Sequence, residues 1–189
     1  MSDVLHLLLS LDEDAFRATG QLHWSPATAL LALSSAWWVK GPLLIAAGWC
    51  ADLRRRRLLP LAALAATASF FFASALSMML KGIFERSRPP EATGIDALVG
   101  VPATPSFPSG HAMTAFAAAG AVAVLAPRLR WPVLALAAII AFSRVYLGVH
   151  FWLDVLAGAA LGLLVGLAVA WPLRSRCGRS APAPSASAP

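Results

Sequence analysis

Charged side chains are scarce in this sequence of 189 residues, of which only 13% are Asp, Glu, Lys or Arg and 59% are hydrophobic. An average soluble domain is about half apolar and about a quarter charged. With a mean hydropathy of +0.71, a water-soluble fold of this length would leave much apolar surface exposed. The shortage of charge therefore argues against a soluble globular domain and against a disordered chain, and it indicates a protein that folds in a lipid bilayer.

Cysteines and clustered metal ligands are also rare or missing. The chain has two cysteines, Cys50 and Cys177, and neither belongs to a CxxC or Cys/His spacing, so we interpret both as incidental. No group of carboxylates has the spacing to hold magnesium or zinc, and we predict no metal or other cofactor. The N-terminal segment lacks a basic region and a cleavage site, which argues against a signal peptide.

The sequence instead has long stretches rich in Ala and Leu. A helix needs about 20 apolar residues to cross a bilayer, and five stretches approach or exceed that length: residues 24–50, 58–80, 108–126, 131–149 and 152–172. The strands of a membrane β-barrel would be shorter and would alternate with a period of two. We therefore predict an all-α, polytopic membrane helix bundle with about five transmembrane helices, preceded by an N-terminal interfacial helix.

The two ends of the chain differ from its apolar middle. In residues 1–23, apolar side chains recur at helical spacing among acidic ones, which is typical of a helix lying at the membrane interface; they are Val4, Leu8, Leu11 and Ala15. Residues 24–173 form the predicted transmembrane domain. Residues 180–189 are only Ser, Ala and Pro, and we predict a disordered tail over residues 174–189.

The charges between the predicted spans are divided unequally. Nine basic residues and one acidic residue fall in the loops after the first and third spans and in the C-terminal tail. Five basic and eight acidic residues fall in the N-terminal segment, the loop 81–107 and the turn 143–154. Because basic loops remain in the cytoplasm, the first group is predicted to be cytoplasmic, with the N terminus outside and the tail inside.

Lys40 does not fit this division, because it lies inside the first predicted span, immediately before Gly41 and Pro42. One interpretation is a kinked helix whose lysine extends to the interface or contacts a water defect. The other is a lysine that faces the bundle interior, near a polar group of a substrate. The sequence leaves the two interpretations open.

Polar residues form three clusters on the predicted non-cytoplasmic side. The first follows the second span at residues 81–89, the second begins the third span at residues 108–111, and the third lies between the fourth and fifth spans at residues 143–154. These clusters are distant in sequence, yet the topology brings them to one face of the membrane. We therefore predict that helix packing converges them on one pocket.

The positive charges of these clusters suit a phosphoryl group. The planar fork of arginine binds two oxygens of one phosphate, and lysine adds a point charge; the candidates are Lys81, Arg88 and Arg144. Ser109 and Gly110 stand where a helix is predicted to begin, and unpaired N–H groups at a helix N terminus attract anions. The glycine also permits a ligand to approach the backbone closely.

Two histidines supply candidate catalytic groups. Asp154 follows His150 by four residues, a spacing that places both on one face of a helix. A carboxylate at one imidazole nitrogen fixes the tautomer and leaves the other nitrogen available to attack or to accept a proton. His111 is available as a general acid or base. Together with the cations, this set suits in-line phosphoryl transfer, in which one histidine attacks phosphorus and the other protonates the leaving oxygen.

Each of these residues alone has a simpler explanation. Basic residues at span ends are usually interfacial anchors, a serine at a helix start is usually an N-cap, an imidazole suits the interface, and a His–Asp pair at this spacing can be a structural contact. Tryptophans at span ends are interpreted as interfacial belt residues; they are Trp131, Trp152 and Trp171. The joint arrangement of the three clusters is what favours a functional site.

Over residues 81–154 the three clusters resemble the three-part signature of the type 2 phosphatidic acid phosphatase family. The matching residues are Lys81-x6-Arg88-Pro89, Pro108-Ser109-Gly110-His111 and Ser143-Arg144-x5-His150-x3-Asp154. The resemblance implies a helical core and metal-independent hydrolysis of phosphomonoesters or diphosphates. It also implies that His150 is the nucleophile that forms a phosphohistidine, that Asp154 orients it and that His111 is the general acid. The implied phosphate-binding residues are Lys81, Arg88, Ser109, Gly110 and Arg144.

The small size, the five predicted spans and the outward site resemble the bacterial branch of this family, which acts on undecaprenyl diphosphate or related lipids. Residues 24–173 are then a transmembrane phosphatase domain of the bacterial cytoplasmic (inner) membrane, with the active site facing the periplasmic side. Undecaprenyl diphosphate is the first candidate substrate, followed by phosphatidylglycerol phosphate, phosphatidic acid and lipid A phosphate. Membrane lipids are the expected partners and nucleic acid is not, and the sequence does not indicate an oligomeric state.

Three other functions remain open at this point. The same pocket could transfer the phosphoryl group to a second lipid in place of water. It could act as a haloperoxidase, although the apolar spans argue against this function. It could also bind a lipid phosphate without catalysis, as a carrier does.

Overall fold

The computed structural model describes residues 2–22, 25–35, 37–54 and 59–177. Within these residues every regular element is a helix, which confirms the predicted all-α class. The helices are α1 (Ser2–Gly20), α2 (Ser25–Ser35), α3 (Trp37–Arg54), α4 (Leu61–Phe84), α5 (Pro89–Thr93), α6 (Gly110–Leu125), α7 (Arg130–Tyr146), α8 (Trp152–Ala170) and α9 (Arg174–Cys177). Short 3-10 turns precede α7 (Pro127–Leu129) and α9 (Trp171–Leu173).

Three helical segments of the described chain are long and apolar enough to cross a membrane. With their adjoining turns they are Leu61–Thr93, Pro127–Tyr146 and Trp152–Leu173. The prediction of a multi-pass membrane protein is thereby confirmed. α6 is also apolar but has only 16 residues. The number of five spans stays a prediction, as do the identity of the membrane and the side to which the site opens.

The first predicted span, residues 24–50, is helical on both sides of residue 36, which lies outside the described residues. The part before it, α2, packs on α7, and the part after it, α3, packs on α4. Pro42 lies inside α3. The side chain of Lys40 lies outside the described part of the structure, so its two interpretations stay open.

α6 is the central helix of the bundle. It packs against α3, α4, α7 and α8, and twelve of its sixteen residues are buried, most of them alanine. A helix that is apolar on all sides belongs in the interior of a bundle. The start of α6, which carries the second predicted cluster, is therefore surrounded by the ends of the neighbouring helices.

Three glycines bring the backbone of α8 against that of α6. A Cβ atom added at Gly162 would lie 2.1 Å from the carbonyl oxygen of Met113, and one added at Gly158 would lie 2.6 Å from that of Ser109. Gly166 makes the same kind of approach to Ala117, at 2.3 Å. Small residues at every fourth position permit such backbone contact between membrane helices. This contact fixes the start of α8 relative to the start of α6.

Asp52 ties α3 to α4. The sequence places it as the one acid beside a basic loop, and in the structure it is buried. Its Oδ2 accepts hydrogen bonds from the N–H groups of Ala62 (2.9 Å) and Ala63 (3.1 Å). These first-turn N–H groups of α4 have no intrahelical acceptor, so Asp52 acts as an N-cap supplied by another helix.

α1 confirms the helix predicted near the N terminus, and one of its faces packs on the bundle. Asp12, Phe16 and Thr19 are buried on that face. The indole Nε1 of Trp152 donates a 3.0 Å hydrogen bond to Oγ1 of Thr19, and the rings of Phe16 and Phe151 meet edge to face with centroids 5.4 Å apart. Trp152 therefore packs on α1, and its place in an interfacial belt stays a prediction.

The other face of α1 is apolar and exposed, including Val4, Leu8 and Leu11. That pattern is typical of contact with lipid, although the interfacial position and the domain boundaries at residues 23 and 173 stay predictions. Trp131 and Trp171 are exposed at helix starts or ends. α9 occupies the first four residues of the tail predicted to be disordered, and residues 178–189 lie outside the described chain.

Candidate active site

The eight site residues predicted from the sequence all lie at or beside a helix end. Asp154 stands in the first turn of α8, and His150 precedes that helix. The others lie in the last turn of α4 (Lys81), at the N-cap of α5 (Arg88), at the start of α6 (Ser109, Gly110, His111) and in the last turn of α7 (Arg144). Helix ends are suitable positions for such residues, because each end places polar groups outside the apolar packing of the bundle.

Hydrogen bonds join the three sequence clusters. Nη1 of Arg88, from the first cluster, lies 3.3 Å from Nε2 of His150 in the third and donates to the carbonyl oxygen of Val149 at 2.8 Å. The backbone N–H of Ser109, from the second cluster, donates to the carbonyl oxygen of Asp154 at 2.9 Å. The fold thus brings the clusters together as the topology indicated, while the roles of the individual residues stay predictions.

His150, Asp154 and Ser106 form a buried polar group at the centre of this arrangement. The Nδ1 atom of His150 lies 3.5 Å from Oδ2 of Asp154. The hydroxyl of Ser106 donates to the same Oδ2 at 2.5 Å and lies 3.3 Å from Nδ1 of His150. With the carboxylate at Nδ1, the tautomer protonated at that atom is favoured, which leaves the lone pair on Nε2.

The reason for the contact between His150 and Asp154 differs from the one that their spacing suggested. The two residues do not share a helix, because α8 begins at Trp152. Asp154 is the third residue of α8, and its Oδ2 accepts the N–H of Phe151 at 3.0 Å in a capping interaction. The N-terminal turn of α8 therefore orients the carboxylate toward the imidazole.

Lys81 and Arg88 are buried and held by neutral carbonyl groups. Nζ of Lys81 donates to the carbonyl oxygen of Pro105 and, at 3.4 Å, to that of Ser106. Nε of Arg88 donates to the carbonyl oxygen of Thr104 at 2.8 Å. Because carbonyls orient these cations without neutralising them, the pocket keeps a positive charge that suits a phosphate group.

Burial lowers the pKa of His150 from 6.5 to about 4. The desolvation of the imidazolium is the largest cause; the hydrogen bond to Asp154 opposes it, and the positive charges of Arg88 and Lys81 act with it. The ring is therefore neutral at physiological pH. A neutral imidazole with a lone pair on Nε2 is a competent nucleophile.

Two buried hydroxyl groups at and beside the start of α6 have no hydrogen-bond partner among the described residues. Ser109 is the N-cap of α6, yet its Oγ is buried and has no hydrogen-bond partner within the described residues. Ser77 of α4 shares this property, and its Oγ would lie 3.1 Å from a Cβ atom added at Gly110. A buried hydroxyl without a hydrogen-bond partner costs free energy. A phosphate oxygen bound at the start of α6 would accept a hydrogen bond from such a hydroxyl and from the free N–H groups of the helix N terminus.

Arg144 and His111 complete the predicted set. Arg144 is buried in the last turn of α7. His111 is half-buried in the first turn of α6. The positions of both are compatible with the predicted roles in phosphate binding and proton transfer, which stay predictions.

Three residues near the site were not identified from the sequence: Ser106, Arg86 and Asp12. Ser106 stands three residues before Ser109 in the chain, and Arg86 lies between Lys81 and Arg88. Arg86 bonds Asp154 through Nη1 at 2.6 Å and Asp12 through Nη2 at 2.8 Å. Helical spacing with Phe16 marks Asp12 as a residue of the packed face, but only the tertiary structure shows which groups it reaches.

The described residues contain no group of three or more His, Cys, Asp or Glu side chains that could hold a metal ion. Positive charge in the pocket comes from lysine and arginine side chains. Metal independence stays a prediction that a chelator experiment can test.

Comparison with known families identifies the class of this protein. The PAP2 superfamily matches residues 61–176, which include every predicted site residue. The chain belongs to the PAP2 superfamily, and the resemblance stated from the signature residues is confirmed.

Two solved structures share the fold of this chain. The transmembrane PAP2-type phosphatidylglycerolphosphate phosphatase of Bacillus subtilis superposes with a TM-score of 0.73 at 27% identity, over 92% of this chain and 89% of that one. LpxE of Aquifex aeolicus superposes with a TM-score of 0.64 at 24% identity, over 82% of this chain and 92% of that one, and this likeness concerns the fold alone.

Curated relatives match shorter regions. Decaprenylphosphoryl-5-phosphoribose phosphatase of Mycobacterium tuberculosis is 41% identical over 106 residues, which are 56% of this chain and 58% of that protein. Lipid A 1-phosphatase of Rhizobium johnstonii is 36% identical over 57% of this chain and 46% of that protein. Undecaprenyl-diphosphatase of Sulfolobus acidocaldarius is 42% identical over 30% of this chain and 28% of that protein. The matched regions thus span less than two thirds of each of these relatives.

Proposed function

We propose that this protein is an integral membrane lipid phosphatase that hydrolyses a phosphomonoester or diphosphate headgroup without a metal ion. The single observation that carries the proposal is the buried His150–Asp154 contact beside two cations, Lys81 and Arg88, that carbonyl groups hold without neutralising. The PAP2 membership and the apolar helices support it.

The proposed reaction has two steps. Nε2 of His150 attacks the phosphorus atom, the bond from phosphorus to the leaving oxygen breaks, and His111 donates a proton to that oxygen. A water molecule, deprotonated by His111, then attacks the phosphohistidine, which releases inorganic phosphate and restores the imidazole. Asp154 holds the Nδ1 proton in both steps. The phosphoryl oxygens bind the residues predicted for them: Lys81, Arg88, Ser109, Gly110 and Arg144.

The lipid is a separate question, because the site residues contact a phosphoryl group and not an acyl or prenyl chain. Undecaprenyl diphosphate stays our first candidate, supported by the relative named undecaprenyl-diphosphatase. A specific observation favours a second candidate, a polyprenylphosphoryl pentose phosphate: the decaprenylphosphoryl-5-phosphoribose phosphatases match a longer region at 41% identity. Phosphatidylglycerol phosphate, phosphatidic acid and lipid A phosphate complete the set of candidate substrates. The proposed location of the protein is the bacterial inner membrane.

The test is phosphate release by the purified protein in detergent with excess EDTA, measured for each of these lipids and compared with His150→Ala. General acid–base help alone is worth about 10²–10⁴ in rate, and loss of the nucleophile should cost at least as much. Activity that disappears with EDTA, or a His150→Ala protein with near-normal rate, would contradict the mechanism. A substrate with labelled phosphate and a second lipid as acceptor distinguish hydrolysis from phosphotransfer. A transferase moves the labelled phosphoryl group to the second lipid and releases little inorganic phosphate.

A further inference from the structure

The N-terminal helix α1 places one buried carboxylate beside the candidate active site. The side chain of Asp12 is only 1% exposed. Its Oδ1 accepts the backbone N–H of Leu153 at 2.9 Å, and its Oδ2 accepts Nη2 of Arg86 at 2.8 Å. Leu153 is in the first turn of α8, where N–H groups have no intrahelical acceptor. Asp12 therefore caps, from a distant part of the sequence, the helix that carries Asp154.

The same contacts form a charged chain that ends at the candidate nucleophile. Arg86 joins the two carboxylates, because its Nη2 bonds Asp12 and its Nη1 bonds Oδ1 of Asp154 at 2.6 Å. Oδ2 of Asp154 faces Nδ1 of His150. The guanidinium also lies over the ring of Phe151, 4.4 Å from its centroid, which limits its movement. Each oxygen of Asp154 thus has a fixed neighbour, and Arg86 is fixed in turn by Asp12.

We propose that Asp12 is a positioning residue of the active site, which acts through Arg86 to hold Asp154 in its orientation toward His150 and to balance the positive charge of that guanidinium. The inference rests on the proposed function. The two terminal nitrogens of Arg86 each donate one charge-assisted hydrogen bond to a different carboxylate, and such bonds are directional. Without the charge of Asp12, Arg86 keeps Asp154 as its one acidic partner among the described residues. The positive charge of Arg86 then opposes the imidazolium-like charge that develops on His150 during attack.

The test variant is Asp12→Asn, which keeps an oxygen to accept the N–H of Leu153 and removes the charge that faces Arg86. The matched control is Glu13→Gln, which removes one charge from the next residue of α1. Glu13 is exposed and bonds Arg17 on the same helix at 2.6 Å. We expect Asp12→Asn to lower the rate constant of phosphohistidine formation roughly tenfold, as for the loss of one charge-assisted hydrogen bond that orients the catalytic groups, with KM within about twofold of wild type. The control should match wild type.

The measurement is rapid-quench trapping of the phosphoenzyme from a substrate with labelled phosphate. Positioning predicts a lower rate constant with the full burst amplitude, since every molecule still forms the intermediate. A purely structural role predicts the opposite, a reduced amplitude with the wild-type rate constant, and that result would overturn the proposal. If Asp12→Asn does not accumulate in the membrane, Asp12→Ser, which also keeps an acceptor for Leu153, takes its place.

A double-mutant cycle with Arg86→Gln gives the second readout. If Asp12 acts through Arg86, the Asp12→Asn change has little further effect once Arg86 is altered, and the two effects do not add. Additive effects would contradict the proposed route. The wild-type protein separates the two proposals: absence of a phosphohistidine in wild type refutes the proposed function, whereas a wild-type intermediate with an unaffected Asp12→Asn rate refutes only the role of Asp12.

Discussion

The hydroxyl of Ser106 donates a 2.5 Å hydrogen bond to Oδ2 of Asp154, the same oxygen that faces the imidazole of His150. Ser106 is fully buried, and its Oγ is 3.3 Å from Nδ1 of His150. One hydroxyl thus contacts both members of the pair and restricts the rotation of each. The loop before α6 therefore contributes a side chain to the His150–Asp154 pair, in addition to the predicted phosphate-binding residues at the start of α6.

Replacement of Ser106 by alanine should lower kcat with little effect on KM. The change removes a charge-assisted hydrogen bond to a buried carboxylate, worth about 1.5–3 kcal/mol, which corresponds to roughly a 10- to 100-fold loss of rate. Ser69→Ala is the matched control, because Ser69 is also fully buried and its Oγ has no partner within the described residues. The measurement is kcat and KM of both variants in steady state. An equal loss of kcat in Ser106→Ala and Ser69→Ala would contradict a catalytic contribution of the Ser106 hydroxyl.

The lowered pKa of His150 predicts how the rate of phosphohistidine formation depends on pH below neutrality. Attack requires the neutral ring, and a pKa of about 4 keeps the ring neutral well below the pH at which an ordinary imidazole is protonated. The rate constant of phosphohistidine formation should therefore show no fall between pH 7 and about 5, and should fall only near pH 4. Rapid-quench measurements across this range check the expectation. A loss of rate centred on pH 6.5 would show that His150 titrates normally.

The same shift has a consequence for stability, whose sign follows from linkage. The unfolded protein binds a proton at His150 near pH 6.5, and the folded protein does so only near pH 4. Between these values the unfolded state binds more protons, so stability is lost as pH falls from 6.5 to 4. Thermal unfolding in detergent should show this loss in wild type and a smaller one in His150→Gln, which removes the titrating group.

Much of the site was predictable from the sequence because its residues recur in fixed local patterns. Lys81, Arg88 and the start of α6 follow from charge, spacing and helix-end chemistry. Ser106 and Asp12 were not predictable, since a serine in a loop and an acid on an amphipathic helix have no local pattern that distinguishes them. Their roles arise from tertiary contacts that join residues 48 and 141 positions apart.

The glycine contacts between α6 and α8 should be essential for stability. In Gly162→Ala the added Cβ atom would meet the carbonyl oxygen of Met113 at 2.1 Å, so the helices must separate. Overpacking of this kind costs about 1–3 kcal/mol or more. Gly82→Ala is the control, because Gly82 lies in α4 with nothing within 4 Å of an added Cβ. Gly82→Ala should be neutral or up to about 1 kcal/mol more stable.

Thermal unfolding in detergent measures the stability of both variants, and an activity assay at a temperature where both are folded measures their catalytic rates. Separation of the two helices also displaces Asp154, which stands one turn before Gly158, so Gly162→Ala should lose activity as well as stability. A Gly162→Ala protein that unfolds at the wild-type temperature would show that α6 and α8 are not in backbone contact.

The predicted orientation of the site can be tested by labelling single cysteines. Val101 is exposed in the loop before α6, on the site side of the bundle, and Leu59 is exposed before the start of α4, at the other end of the helix that carries Lys81. In a background with Cys50 and Cys177 replaced by serine, we expect Val101→Cys in intact spheroplasts to react with a membrane-impermeant maleimide. Leu59→Cys should react only after permeabilisation, because the positive-inside rule places the loop after α3 in the cytoplasm. Each variant controls for the other, since both side chains are exposed and only their side of the membrane differs. The reverse labelling pattern would place the catalytic pocket at the cytoplasmic face, and the proposed substrates would then have to be presented from the inner leaflet.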